Sequence, residues 1–178
     1  MSATARGAQQ AFFDRYLAVV RRATGDLPLT EHDPAWPSPC ETGEVDAESM
    51  VRWRPVARAP EADFRALEEA LGVALRDELK VWLGAWWCLP IEATWSEDTV
   101  VLRGFAHEAE FARFEAGLVR HVRAAGAVTV PVAVFHDDRF VSVDNATGAV
   151  LIEDPGRAPR VAAGSLVAFL EALAPLPV

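Results

Sequence analysis

Three short β-type segments, separated only by tight turns, constrain the fold of this chain more than any other feature. Val130–Phe135, Phe140–Asp144 and Ala149–Glu153 are mostly apolar, and His136–Arg139 and Asn145–Gly148 join them. Connections this short can only join antiparallel neighbours, because a parallel crossover needs about a dozen residues or more. The segments therefore predict an antiparallel run and argue against a parallel sheet that alternates with helices.

A second hairpin and several amphipathic helices complete the pattern. Ile91–Trp95 and Thr99–Arg103 flank Ser-Glu-Asp, which is typical of a hairpin turn. Met50–Val56 alternates as a strand does, with Pro55 at its end or at a sheet edge. Apolar residues at helical spacing predict helices over about 8–23, from Pro60 to Gly72, from Leu75 to Trp86, over His107–Ala125, and from the cap Ser165 to Pro175. The sequence thus predicts a single α+β domain over residues 1–178, with a mostly antiparallel sheet and flanking helices.

One stretch of the sequence shows neither a helix nor a strand pattern. Residues 27–46 contain Pro28, Pro34, Pro37 and Pro39 and show no clear period. We expect a long proline-rich loop here, ahead of a core that spans residues 50–176. Loops of this length in compact domains are often functional.

The net charge of the chain limits the kinds of molecule that it can bind. The formal net charge is −9, and 51% of the residues are hydrophobic. A chain this acidic is repelled by phosphate backbones, which argues against nucleic-acid binding, and a partner chosen by electrostatics should be basic. The apolar share is ample for a core without metal or disulfide support.

The sequence lacks the motifs that carry common chemistries. It contains no glycine-rich phosphate loop, no zinc-protease motif and no serine nucleophile elbow. The histidines are widely separated, with no pair at i,i+4 spacing. Cys88 as a hydrolase nucleophile is disfavoured because its apolar flanks would keep the thiol inert, and Cys40 and Cys88 are expected to be small core residues. We expect no enzyme activity, cofactor or metal.

No segment suggests membrane insertion. The longest apolar run, Val81–Ile91, is about half the ~20 residues that a spanning helix needs. Arg6, Asp14 and Arg15 interrupt the N-terminal region before any secretory apolar stretch forms. We therefore expect a cytoplasmic protein.

Acidic residues are concentrated in three predicted loops. The candidate protein-binding residues are Glu41, Glu44, Asp46 and Glu48 in the proline-rich loop, Glu97 and Asp98 in one hairpin turn, and Asp137 and Asp138 in another. They could simply be solvated loop residues of an acidic protein. Alternatively, several of these clusters converge into one electronegative face that binds a basic partner.

The ordered set of motifs resembles the Syd proteins of the wider SUKH superfamily. The likeness covers roughly Phe12 to Leu176. Its pieces are Phe13-Asp14-Arg15-Tyr16, Pro37-Ser38-Pro39-Cys40, Trp53 with Pro55, Asn145-x-Thr147-Gly148-x-Val150, Glu153-Asp154-Pro155-Gly156, Phe169-Leu170 and Pro175-Leu176. The chain departs from the family in its central helix, where only Leu118 and His121 of the usual run remain.

The resemblance implies a non-enzymatic α+β protein held loosely on the cytoplasmic side of the inner membrane. Syd proteins associate with SecY, the channel subunit of the translocon, and act on improperly assembled complexes. Their concave, electronegative sheet side suits SecY's basic cytoplasmic loops. An alternative from the same superfamily is an immunity protein that binds and neutralises a bacterial toxin.

Overall fold

The computed structural model describes residues 4–177, so both ends of the predicted 1–178 domain lie outside the described residues. Residues 4–177 form five helices and twelve strands. The helices are α1 (Ala5–Thr24), α2 (Arg65–Leu71), α3 (Asp77–Gly84), α4 (Glu108–Ala125) and α5 (Leu166–Ala172). The strands are β1 (Leu29–Glu31), β2 (Glu41–Thr42), β3 (Met50–Trp53), β4 (Val56–Ala57), β5 (Trp86–Trp87), β6 (Ile91–Trp95), β7 (Asp98–Leu102), β8 (Thr129–Phe135), β9 (Phe140–Asp144), β10 (Val150–Glu153), β11 (Arg160–Ala163) and β12 (Ala174–Pro175).

Most of the strands form one antiparallel sheet. Its order is β11-β10-β9-β8-β7-β6-β12. The two predicted hairpin runs make up its centre, and every pairing between neighbours is antiparallel. The predicted α+β class is therefore confirmed. The remaining strands form a three-stranded sheet, β1-β3-β2, and the pair β4-β5.

One face of the large sheet is buried under helices. Helix α1 contacts α3, α5 and β12, and α5 contacts β11. Side chains on this face alternate along the strands and join one continuous core: Ile91, Ala93, Val100, Leu102, Val130, Val132, Ala133, Phe135, Val141, Val143, Val150 and Ile152. Each large side chain buried in this way contributes roughly 1.5–3 kcal/mol relative to leaving it exposed.

Four local predictions were wrong, for reasons of backbone pairing. Helix α5 ends at Ala172 and not at Pro175, because Ala174 and Pro175 pair with β6. Helix α2 begins at Arg65 and not at Pro60, because the backbone N–H groups of Arg58 and Ala62 donate to carbonyls at the end of α3. Helix α3 ends at Gly84, and Trp86 belongs to β5. The predicted loop over 27–46 contains β1 and β2, both paired with β3.

Three tryptophans that lie on the apolar stripes of their segments differ in burial. Trp53 and Trp82 are buried in the core. Trp86 is only half-buried, with its ring edge-on to Phe13 at 5.4 Å. Both cysteines are free and buried, as expected.

Asn145 joins the β9–β10 turn to the connection between α2 and α3. Its side chain is largely buried; Nδ2 donates to the Ala74 carbonyl and Oδ1 accepts from the Arg76 backbone N–H, each at 2.9 Å. Gly148 closes the turn with a φ of +80°, a backbone conformation that strains any residue with a Cβ. A single amide thus satisfies two backbone groups from distant sequence.

We predict that Asn145→Ala destabilises the fold by about 1–3 kcal/mol, because it removes two part-buried hydrogen bonds that contribute roughly 0.5–1.5 kcal/mol each. Urea unfolding followed by circular dichroism measures the change. Asp138→Ala in the neighbouring turn is the control, since Asp138 is exposed and such changes usually stay within about 0.5 kcal/mol. Equal stabilities for the two variants would contradict the role assigned to Asn145.

Buried thiol and phenol groups make the stability of the fold depend on pH in the alkaline range. It raises the pKa of Cys40 to about 11, and the pKa values of Cys88 and Tyr16 to about 12. Above about pH 9 the unfolded chain loses these protons while the folded chain keeps them, so the free energy of unfolding must fall as pH rises. Tyr16 is the only tyrosine, so few other groups titrate in this range.

We predict a progressive loss of stability between about pH 9 and 12, detected by denaturant unfolding at a series of pH values. The variant Cys40→Ala/Cys88→Ala should lose less over the first part of this range. A free energy of unfolding that stays flat to pH 11 would show that these groups are not protected as the structure indicates.

Candidate functional site

The face of the large sheet opposite the core forms a groove with helix α4. Val101, Val134 and Phe140 lie on this face and are half-buried or exposed. Glu110, Phe114, Gly117, Leu118 and His121 line the other wall from one side of α4, at helical spacing. Two adjoining cavities of about 420 and 440 Å³ share Arg103, Phe114 and Val134. We call this continuous depression the α4 groove.

A β-bulge in β8 places two of its residues in the groove. The pairing of β8 with β9 shifts register between Pro131 and Ala133. Val132 and Ala133 are consequently both buried in the core, while Pro131 and Val134 both face the groove. A proline is tolerated in this central strand because it lies at the bulge, where a ladder hydrogen bond is already lost.

Contacts at both ends of α4 hold the groove in shape. At the start of the helix, the N-cap His107 accepts from the Glu110 backbone N–H at Nδ1. Glu110 Oε2 in turn accepts from the backbone N–H of Ala106, the residue before the cap, at 2.7 Å. Near its end, His121 Nε2 lies 3.1 Å from Thr129 Oγ1 of β8. The groove is therefore formed before any partner binds.

A cation lies in the floor of the groove. The Arg103 guanidinium stands over the Phe114 ring, 5.0 Å from its centroid. Burial lowers the pKa of Arg103, the nearby charge of Glu110 opposes this shift, and the side chain stays protonated at neutral pH. Its Nε is buried without a hydrogen-bond partner among residues 4–177.

Four of the predicted acidic residues come together at one end of the sheet. Arg139 pairs with Asp137 at 2.8 Å and with Asp98 at 3.3 Å, which joins the β6–β7 and β8–β9 turns. Asp137 and Asp138 also line the groove. A hydrogen bond from the backbone N–H of Arg139 lowers the pKa of Asp137. Glu97 and Asp138 have exposed carboxylates without a partner among the described residues. We call these four residues, Glu97, Asp98, Asp137 and Asp138, the acidic rim.

The other four predicted residues lie elsewhere. Glu41 bonds His32 Nδ1 at 2.7 Å and the Ser38 backbone N–H, and Asp46 accepts from the backbone N–H groups of Glu48 and Met50. Ser38 Oγ donates to the Ala106 carbonyl, so this segment packs beyond the end of β7 that is remote from Asp98. Glu41 and Asp46 thus shape the loop, whereas Glu44 and Glu48 are exposed. The structure does not bring this loop into the acidic rim.

The described residues were compared with the arrangements that hold a metal ion or span a membrane. Across 4–177 no group of three or more histidine, cysteine or acidic side chains is arranged to hold a metal ion. In the same range, no helix has the length and apolarity to cross a membrane.

The sequence analysis did not single out Arg103 as a site residue. Its alternation with Val101 along one strand could have placed it on the open face of the sheet.

Comparison with known proteins identifies the family. The family model described as Syd protein (SUKH-2) matches residues 7–175. Protein Syd of Pseudoalteromonas atlantica is 29% identical, with 98% of each chain covered. Protein Syd of Aeromonas hydrophila is 34% identical over 85% of this chain and 86% of the relative, and that of Tolumonas auensis is 32% identical over 81% and 76%. This confirms the resemblance inferred from the motifs, and the chain belongs to the Syd family.

Proposed function

We propose that this chain is a non-enzymatic regulator that binds basic cytoplasmic loops of SecY and acts on improperly assembled translocon complexes. SecY would then hold it loosely at the cytoplasmic side of the inner membrane. The observation that carries the proposal is the acidic rim at the mouth of a preformed groove, in a chain that matches the Syd family model over residues 7–175.

Electrostatics favours this kind of partner. The net charge of −9 steers basic segments toward the protein, and exposed carboxylates at the rim give them a local target. Arg139 neutralises part of the rim but leaves Glu97 and Asp138 unpaired among the described residues. These two side chains are the strongest candidates for contact with arginine or lysine.

The chemistry of the cysteines supports a binding role over a catalytic one. Thiol nucleophiles need a lowered pKa, whereas burial raises the pKa of both Cys40 and Cys88. Neither thiol lines the α4 groove. A binding protein needs only the shape and charge that the groove supplies.

We predict that reversing the exposed rim charges, Glu97→Lys with Asp138→Lys, lowers the association rate with purified SecY complex about tenfold at low salt, because the local steering field is reversed. The matched control is Glu44→Lys with Glu48→Lys, which changes the net charge equally at a remote loop. It should reduce the rate much less. Biolayer interferometry at fixed ionic strength measures the rates, and circular dichroism confirms that both variants are folded.

Raising the salt should bring the wild type and the rim variant together, because exposed charges are screened beyond roughly 10 Å at 0.1 M. If the rim variant and the loop control lose association rate equally at low salt, the net charge alone steers the partner and the rim is not part of the binding site. No binding of SecY by the wild type, with capture of a toxin domain from the native host instead, would replace this proposal with the immunity function.

A further inference from the structure

Arg103 differs from the other shielded arginines of the chain. Arg58 Nη2 donates to both carboxylate oxygens of Glu108. Arg139 pairs with two aspartates, and Arg15 donates to carbonyls at the end of α5. Arg103 is likewise half-buried, yet its guanidinium has no hydrogen bond or ion pair to any of residues 4–177. The buried Nε–H of Arg103 in particular has no partner among the described residues, which is unfavourable for folding.

Nearby groups offset this cost only in part. Glu110 acts on Arg103 through charge alone, and its carboxylate already accepts the Ala106 N–H. The Phe114 ring covers one side of the guanidinium and contributes roughly 0.5–2 kcal/mol. The N–H fork of Arg103 therefore remains available at the junction of the two cavities, both of which it lines.

We propose that the α4 groove holds an extended segment of a partner polypeptide, with a partner Asp or Glu side chain paired to Arg103 and apolar neighbours in the two cavities. The inference rests on the proposed function in taking this groove as a protein-binding site. It adds that the bound segment is not purely basic: its basic residues meet the acidic rim while one carboxylate reaches the floor.

The lining selects a carboxylate on a peptide over a free phosphate. A guanidinium fork matches one carboxylate by two parallel hydrogen bonds. Glu110, Asp137 and Asp138 line the same groove, but Arg113 and Arg139 line it too, so the choice between the two ligands falls to the apolar walls. Phe105, Phe114, Leu118 and Val134 give apolar walls to cavities of about 420 and 440 Å³, and a small anion would leave both unfilled.

The test uses random 12-residue peptides displayed on phage and selected on the wild-type protein, with no use of SecY. We expect enriched peptides with Asp or Glu beside apolar residues. Synthesised versions should bind Arg103→Gln roughly tenfold to a hundredfold more weakly, the loss expected for a charge-assisted pair. Changing the peptide's acid to its amide should cause a similar loss on wild type and little further loss on Arg103→Gln. The control Arg54→Gln, at an exposed arginine outside the groove, should bind as wild type does.

Enriched peptides without an acid, or equal binding to Arg103→Gln, would overturn the inference. Arg103→Met keeps the apolar stem against Phe114 and serves if the glutamine variant fails to fold. It should unfold at or above the wild-type denaturant midpoint, because the unpaired group is gone, and still lose binding. A methionine variant that is destabilised but binds normally would make Arg103 a structural residue. Acid-dependent peptides together with absent SecY binding would reject the proposed function alone. SecY binding with acid-free peptides would reject this inference alone.

Discussion

The rest of the structure depends on the burial of one face of an antiparallel sheet beneath α1, α3 and α5. Side chains alternate along a strand, so fixing Val100 and Leu102 in the core sends Val101 and Arg103 to the opposite side. The bulge after Pro131 keeps Val134 on that same side. The open face is therefore a consequence of core packing, and α4 converts it into a groove.

The parts of this architecture with a strong local signal could be predicted from the sequence. Short turns determined the hairpins of β6–β7 and β8–β10, and the Ser165 cap determined the start of α5. The departures came from contacts between distant residues. Strand β2 exists because it pairs with β3, and β12 because Ala174 and Pro175 pair with β6, although proline signals a helix end. Both strands are only two residues long, which is too short for an alternating apolar pattern to show in the sequence.

The net charge could be predicted from the sequence, but the positions of the acidic side chains relative to one another could not. The acidic turns could be named from sequence, yet whether they meet depends on Arg139, whose pairing with Asp98 and Asp137 follows from β7 lying beside β8. Glu41 and Asp46 could be named from sequence as loop charges, but not as acceptors of hydrogen bonds from within their own loop. The result is a groove with an acidic rim and a cationic floor, which suits a partner segment of mixed charge better than a uniformly basic one.

The central claim is that a partner binds in the α4 groove. Hydrogen–deuterium exchange of the full chain, alone and with purified SecY complex, locates the contact directly. The account predicts slowed exchange in the β8–β9 turn and along α4, with the amides of α1 and α5 unchanged. Protection confined to α1, α5 or the loop of residues 41–48 would place the partner on another surface and contradict it.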